Sequence, residues 1–208
     1  MSTARMTDLD LGAIQKLRKV AVLVFLLALI ALSLVSQTPG GEAWHERLEL
    51  VGFGAMALSI IGRAWCSLYI GGRKKAEIVD RGPYSISRNP LYVFSFIGAF
   101  GVGAQTGSIT IAVLFVLAAM LVFSLTVRRE EAYLGQEFGG AYARYKARTP
   151  RFWPRFSLWR DEAELTVRPS LFLLTLRDGL VFLLAIPIFE LIELGQADRW
   201  LTVLFHLP

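Results

Sequence analysis

Long apolar runs separated by short polar segments dominate the chain. Residues 20–35 carry no charge, residues 50–70 carry one, at Arg63, and residues 91–127 carry none. A bilayer-spanning helix needs about 20 mostly apolar residues, so each run predicts at least one transmembrane helix. The polar stripe that a helix of a soluble bundle presents to water is missing from these runs. The pattern therefore predicts an all-α, polytopic integral membrane protein.

The third run is too long for a single crossing. At about 1.5 Å per residue, a straight helix over residues 91–127 would extend well beyond a hydrocarbon core of about 30 Å. Gly101, Gly103 and Gly107 fall near its middle, and they predict a helical hairpin that turns at residues 103–107. A dinucleotide-binding motif has similar glycines, but it follows a β-strand, whereas these follow a predicted helix. Turn and helix-packing glycines are the preferred interpretation.

The chain beyond this hairpin predicts further helices. One face of a helix is indicated by residues that recur at steps of three and four, namely Glu131, Leu134, Phe138, Tyr142 and Tyr145. They predict a cytoplasmic helix bent near Gly139. Residues 179–194 predict a fifth transmembrane helix, kinked at Pro187. The pattern leaves residues 200–208 undecided between an interfacial and a re-entrant segment.

Basic residues indicate the orientation. They cluster before the first run and after the second, as Lys16, Arg18, Lys19, Arg73, Lys74, Lys75, Arg81 and Arg88. The positive-inside rule then places the N-terminus and residues 71–90 in the cytoplasm. We expect a prokaryotic inner membrane, a transmembrane core at residues 1–160 with functional motifs in 71–92 and 128–154, and membrane-associated helices at 161–208.

Composition narrows the possible partners. The 208 residues are 54% hydrophobic, with a mean hydropathy of +0.50 and a net charge of +5. In a membrane protein such a charge fits loops that face anionic lipids, so membrane lipids are expected partners and nucleic acid is not. Cys66 is the single cysteine, and His45 and His206 are the only histidines. No zinc site of Cys and His ligands, and no other metal, is therefore expected.

The segment RGPYSISRNPLY lies between two apolar runs, where its irregular backbone must face water or a protein cavity. Asn89 and Pro90 predict the start of a helix, with Asn as its N-cap, and Arg88 beside it favours an anion site. Glu130 and Glu131 return to the same depth across the hairpin. Anion donors facing paired carboxylates suit a zwitterionic ligand with hydroxyl groups, such as S-adenosylmethionine.

Two motifs together resemble a known family. The order GPY-x-x-x-R-N-P-x-Y, a hydrophobic hairpin and R-E-E-x-x-L-x-x-x-F-G-x-x-Y-x-x-Y is similar to the isoprenylcysteine carboxyl methyltransferase family, whose plan is related to that of phospholipid methyltransferases. The resemblance implies an integral-membrane enzyme that uses S-adenosylmethionine. It implies cofactor contacts at Ala76, Glu77, Ile78, Val79, Tyr84, Arg88, Asn89, Pro90, Leu91, Tyr92, Glu130 and Glu131.

The catalytic candidates are Arg63 and Arg129. Arg63 lies within the second apolar run, where an unpaired charge is costly, and it is expected to orient the acceptor or else to extend toward the lipid headgroups. Eukaryotic isoprenylcysteine enzymes carry an arginine where this chain has Thr126. The resemblance therefore implies methyl transfer more strongly than it implies an isoprenylcysteine acceptor.

We expect methyl transfer from S-adenosylmethionine to a lipophilic acceptor that enters from the bilayer. A carboxylate acceptor needs no general base, and no histidine is placed to act as one. The alternatives are a phospholipid N-methyltransferase, an NADPH-dependent membrane reductase of similar helical plan, and a non-catalytic lipid-binding protein.

Overall fold

The computed structural model describes residues 8–73 and 76–208, and for residues 8–15 and Arg18 it describes the backbone alone. Residues 1–7, which belong to the N-terminus that we expect in the cytoplasm, lie outside the described part. The helices are α1 (Asp8–Leu34), α2 (Glu42–Ile70), α3 (Pro83–Ile86), α4 (Pro90–Ala104), α5 (Ile109–Arg148), α6 (Pro169–Leu180) and α7 (Ala185–Ala197). Short 3-10 turns occupy Phe156–Leu158 and Val181–Leu184. Two short strands, β1 (Ser36–Gln37) and β2 (Phe205–His206), pair in parallel.

Within the described residues, three helical segments are long and apolar enough to cross a membrane. They are Glu42–Ile70, Ile109–Arg148 and Pro169–Ala197, and Lys19–Leu34 and Pro90–Ala104 are shorter apolar helices. The outer face of α5 exposes large apolar side chains at four-residue steps, at Val113, Leu117, Leu121 and Leu125. A stripe of this kind suits lipid and would be unfavourable in water. The predicted all-α integral membrane fold is confirmed.

The α4–α5 hairpin turns where the glycines predict it. Gly107 has a φ of 66°, in the left-handed region that favours glycine. Ser108 then caps α5, since its hydroxyl accepts a hydrogen bond from the Ile111 amide at 3.3 Å. A Cβ on Gly101 would lie 2.6 Å from the Gly52 carbonyl oxygen. These glycines therefore permit a turn and a close approach of α2 to α4.

Helix α5 continues from the membrane into the polar half of its sequence. It is 40 residues long, and its one residue with non-helical angles is Gly139, at φ 50° and ψ −125°. The predicted bend is confirmed at this residue. The kink redirects the last turns of α5, which carry Tyr142 and Tyr145, toward the other motif.

The fifth span differs from its prediction. It begins at Pro169, earlier than expected, and its irregularity is the 3-10 turn at Val181–Leu184. Pro187 lies in the first turn of α7, directly after this 3-10 turn, so the predicted irregularity is present but lies one turn before the proline. The end of the chain returns to β1, and the Gln196 amide donates to the Ser36 carbonyl at 3.1 Å.

Candidate functional site

A cavity of about 730 Å³ opens among α1, α2, α4, α5 and α6. It brings together the two motifs, which are separated in sequence by the hairpin. Most of the predicted cofactor residues line it, namely Glu77, Ile78, Val79, Tyr84, Arg88, Asn89, Leu91, Tyr92, Glu130 and Glu131. Its volume lies within the range of about 300–1,000 Å³ that is typical of small-molecule sites.

The first motif is attached to the end of α5 by hydrogen bonds between distant residues. The Tyr145 hydroxyl donates to the Tyr84 carbonyl at 2.8 Å, and the Arg88 amide donates to the Pro150 carbonyl at 2.8 Å. Both tyrosine side chains are buried, and burial raises the pKa of Tyr84 well above its ordinary value. Tyr84 is therefore a neutral wall of the cavity.

Glu131 forms the centre of a buried ionic cluster. The Arg88 Nε donates to one of its carboxylate oxygens at 2.9 Å, and the Arg151 Nη2 donates to the other at 2.6 Å. The side chains of Glu131 and Arg88 are 5% and 8% exposed. Arg88 also donates to the Thr149 carbonyl at 2.6 Å. Both carboxylate oxygens of Glu131 are thus engaged by arginines, and the cluster joins the two motifs.

Glu130 presents its carboxylate to the cavity in a different environment. It is half-buried, and the Tyr92 hydroxyl lies 3.3 Å from each of its oxygens. An ionised carboxylate accepts up to about four hydrogen bonds, so a carboxylate on a cavity wall is suited to a ligand's ammonium or hydroxyl groups. The Phe123 ring lies 5.0 Å from that of Tyr92, measured between centroids, and adds an aromatic wall.

Three predictions about the first motif require correction. Asn89 precedes α4 as predicted, but its side chain makes no capping hydrogen bond, because its amide donates to the Arg151 carbonyl at 3.1 Å. Arg88 lines the cavity, but its Nε and Nη1 are engaged by Glu131 and by backbone carbonyls, so Glu131 balances much of the charge that was predicted for an anion. Pro90 is buried in the first turn of α4 and does not line the cavity.

Two further candidates also lie outside the cavity lining. Arg129 is exposed, since one step along a helix turns a side chain by about 100° away from Glu130. Arg129 is therefore not part of this cavity, and its catalytic role stays a prediction. Ala76 is exposed beside the lining segment at residues 77–79.

A second cavity of about 430 Å³ adjoins the first and is lined mainly by apolar side chains of α1, α4, α5 and α7. Arg63 lines both cavities, as do Ser95 and Asp178. The Arg63 guanidinium donates to the Ser95 hydroxyl, and its central carbon lies 5.8 Å from the centroid of the Phe182 ring. Arg63 thus lies inside the protein, at the junction of a polar and an apolar chamber.

Sequence reasoning missed two residues of this region. Asp178 interrupts an apolar segment, and an ionisable residue at such a position indicates a functional role. Arg151 lies in a proline-flanked, polar segment, and its sequence gives no sign that it reaches Glu131.

One protein family and several known proteins match this chain. The phospholipid methyltransferase family matches residues 52–141. The chain is 38% identical to the nickel-cobalt-cadmium resistance protein NccN of Alcaligenes xylosoxydans xylosoxydans, over 91% of this chain and 87% of that protein. It is 40% identical to the cobalt-zinc-cadmium resistance protein CzcN of Cupriavidus metallidurans, over 67% of this chain and 65% of that protein.

A more distant relative carries an enzyme name. The chain is 33% identical to the protein-S-isoprenylcysteine O-methyltransferase of Schizosaccharomyces pombe, over 43% of this chain and 38% of that protein. No solved structure gives a significant match.

Proposed function

The chain belongs to the phospholipid methyltransferase family, and we propose that it transfers a methyl group from S-adenosylmethionine to a lipid-like acceptor that bears an anionic group. The family supports a membrane methyltransferase, while the donor and the acceptor are the proposal. The observation that carries it is the meeting of a polar and an apolar cavity at Arg63.

The larger cavity has the chemistry that S-adenosylmethionine requires. Glu130 and the Tyr92 hydroxyl offer acceptors to an ammonium or to ribose hydroxyls, and the segment at residues 77–79 offers backbone groups. Apolar walls at Leu91 and Phe123 suit an adenine ring. When bound, the cofactor would supply an electrophilic methyl group on its sulfonium.

The smaller cavity suits the hydrophobic part of the acceptor. Its apolar lining comes from helices that contact lipid on their outer faces, so an acyl or prenyl chain would exchange one apolar environment for another. Arg63 at the junction would pair with an anionic head, because a guanidinium binds a carboxylate or phosphate with two hydrogen bonds. The Arg63 guanidinium would thus hold the reacting end of the acceptor beside the larger cavity.

Catalysis then consists mainly of positioning and exclusion of water. A carboxylate acceptor attacks the methyl carbon through oxygen and has no proton to lose. An amine acceptor must lose one, and Asp178 lines both cavities and supplies a carboxylate that could take it. Asp178 is the observation that favours a phospholipid amine as the second candidate acceptor.

We further propose that the larger cavity opens on the cytoplasmic side of a prokaryotic inner membrane. Several arginines surround this end of the bundle, among them Arg73, Arg81 and Arg128, whereas residues 35–41, between α1 and α2, contain no Lys or Arg, and Arg47 follows in the first turns of α2. The asymmetry follows the positive-inside rule. It would also expose the cavity to a soluble donor.

The test is methyl transfer by purified protein in detergent. The protein is incubated with S-adenosylmethionine labelled in its methyl group and a lipid extract of the source membrane, and labelled products are identified by mass spectrometry. We expect a labelled lipid whose fragment shows either an ester or an N-methyl group. Absence of both labelled product and S-adenosylmethionine binding, with NADPH binding instead, would establish the reductase alternative.

A further inference from the structure

A third cavity lies at the opposite end of the bundle from the methyltransferase site. It measures about 520 Å³, and it is enclosed by the loop after α1, the start of α2 and α7. Four glutamates line it together with His45, namely Glu42, Glu46, Glu49 and Glu193, and its described lining contains no Lys or Arg. Carboxylates gathered in this way repel one another unless a cation is present.

Three of these side chains converge on one point. His45 and Glu49 are four residues apart on one face of α2, and Glu193 approaches from α7. The His45 Nε2 lies 2.7 Å from the Glu193 carboxylate and 3.4 Å from that of Glu49. One donor atom from each residue lies within 4.8 Å of the other two.

The His45 and Glu193 atoms that face each other are both sealed from solvent. His45 Nε2 and Glu193 Oε1 lie 2.7 Å apart, which is an ion pair when the histidine is protonated, but neither atom makes a hydrogen bond of standard geometry. Buried polar atoms nearly always make such bonds, so the pair fits two ligands of one cation, which would take the place of the proton on His45. This geometry supports a cation in addition to the negative charge of the cavity.

Gly107 fixes the ring that supplies the nitrogen. A Cβ on Gly107 would lie 2.0 Å from the His45 Nδ1, so the imidazole packs directly against glycine backbone. The α4–α5 turn therefore holds one edge of the ring and leaves Nε2 directed to the two carboxylates.

We propose that His45, Glu49 and Glu193 bind a divalent transition-metal ion, with water completing its coordination. An imidazole with two carboxylates suits Zn²⁺, Co²⁺ or Ni²⁺, whereas Mg²⁺ and Ca²⁺ prefer oxygen ligands alone. Ligand bonds of about 2 Å require only a small inward movement of the side chains. The metal would join α2 to α7.

The site is separate from the proposed methyl transfer. Glu49 precedes Arg63 by fourteen positions on α2, which at about 1.5 Å per residue places them roughly 20 Å apart along the helix axis. The sequence predicts no metal because it has one cysteine and two histidines, and Glu193 is remote from His45 along the chain. The fold is what brings the third ligand to the other two.

The test is Zn²⁺ binding by full-length protein in detergent, purified with a tag that contains no histidine and stripped with a chelator. Calorimetry should show one Zn²⁺ per chain, and Co²⁺ should give visible absorption bands in its place. His45→Ala and Glu193→Gln should each weaken Zn²⁺ binding by at least about tenfold. The matched controls, His206→Ala and Glu190→Gln, remove the other histidine and an exposed carboxylate of the same helix, and they should change the affinity by less than about twofold.

A thermal measurement covers the case in which a variant folds poorly. Zn²⁺ should raise the Tm of the parent, because a ligand of the native state stabilises it, and the rise should disappear in the ligand variants. Glu49→Gln, at a partly exposed position, replaces His45→Ala if that variant is not monodisperse. The proposal is overturned if the parent does not bind Zn²⁺, or if His45→Ala (or Glu49→Gln in its place) and Glu193→Gln bind it as tightly as the parent.

Discussion

At the scale of single residues, Glu130 and Glu131 show how neighbouring carboxylates can differ. Glu131 is buried between Arg88 and Arg151, whereas Glu130 faces the cavity beside a tyrosine hydroxyl. The sequence places both at the end of the membrane segment, but it cannot divide their roles. That division depends on Arg151, which reaches Glu131 only after the chain has left α5.

Glutamine substitutions should separate the two roles. Glu130→Gln keeps the shape and removes the charge, so S-adenosylmethionine should bind more weakly by about 1.5–3 kcal/mol, the scale of hydrogen bonds to charged groups. Glu131→Gln should instead lower the free energy of unfolding by about 3 kcal/mol, near the lower end for a broken buried pair because Arg151 is partly exposed. Calorimetric titration and thermal unfolding measure the two effects. Equal effects of both variants on binding and stability would contradict this assignment.

Arg63 allows a second test at this scale. If it pairs with the acceptor's anionic group, Arg63→Ala should reduce kcat/KM by at least about tenfold, equivalent to about 1.4 kcal/mol, and leave S-adenosylmethionine affinity nearly unchanged. Arg63→Lys keeps the charge but cannot donate two parallel hydrogen bonds, so its kcat/KM should lie between those of the parent and of Arg63→Ala. A folded Arg63→Ala enzyme with full activity would show that Arg63 only fills the junction.

At the scale of elements, the long helix α5 connects membrane and cavity. Its kink at Gly139 directs Tyr142 and Tyr145 to the cavity wall, and Tyr145 then holds the first motif through the Tyr84 carbonyl. The sequence predicts this bend because two adjacent glycines interrupt a helical pattern. It places the irregularity of the fifth span at Pro187, whereas the 3-10 turn lies one turn earlier, at Val181–Leu184.

The two glycines form a matched pair for testing the kink. A Cβ on Gly139 would meet nothing within 4 Å, so the cost of Gly139→Ala comes from its backbone angles alone and should be about 1–2 kcal/mol. Gly140→Ala meets only ordinary contact at 3.7 Å, in helical backbone, and should be neutral or stabilising by up to about 1 kcal/mol. Unfolding of both variants measures this difference. Equal stability of the two variants would contradict a kink at Gly139.

At the scale of the whole molecule, the sequence predicts the helices and both motifs because apolar length and glycine position are local signals. The five apolar helices, the hairpin at Gly107 and the start of α4 at Pro90 follow from such signals. Contacts between segments that are distant in sequence do not follow from local signals. The engagement of Arg88, the hydrogen bond of Asn89 to the Arg151 carbonyl and the approach of Glu193 to His45 depend on packing that no local pattern encodes.

The orientation of the bundle is open to a direct test. Pro39 lies in the loop between α1 and α2 and Ala143 near the end of α5, and both positions are exposed, whereas Cys66 is buried. In a Cys66→Ala background, a membrane-impermeant maleimide should label Pro39→Cys in intact cells and Ala143→Cys only after the membrane is opened. The physical reason is the excess of arginine around the larger cavity, because the positive-inside rule places such residues in the cytoplasm.

The unlabelled Cys66→Ala protein is the control for this experiment, and the protein with Cys66 alone tests whether the buried thiol reacts. Labelling of both introduced cysteines from one side would contradict the arrangement of spans. The reverse pattern would keep the fold but place the larger cavity outside the cell, away from the cytoplasm that we expect to supply S-adenosylmethionine. The cofactor proposal and the orientation therefore stand together, while the metal site of His45, Glu49 and Glu193 would simply move to the opposite side of the membrane.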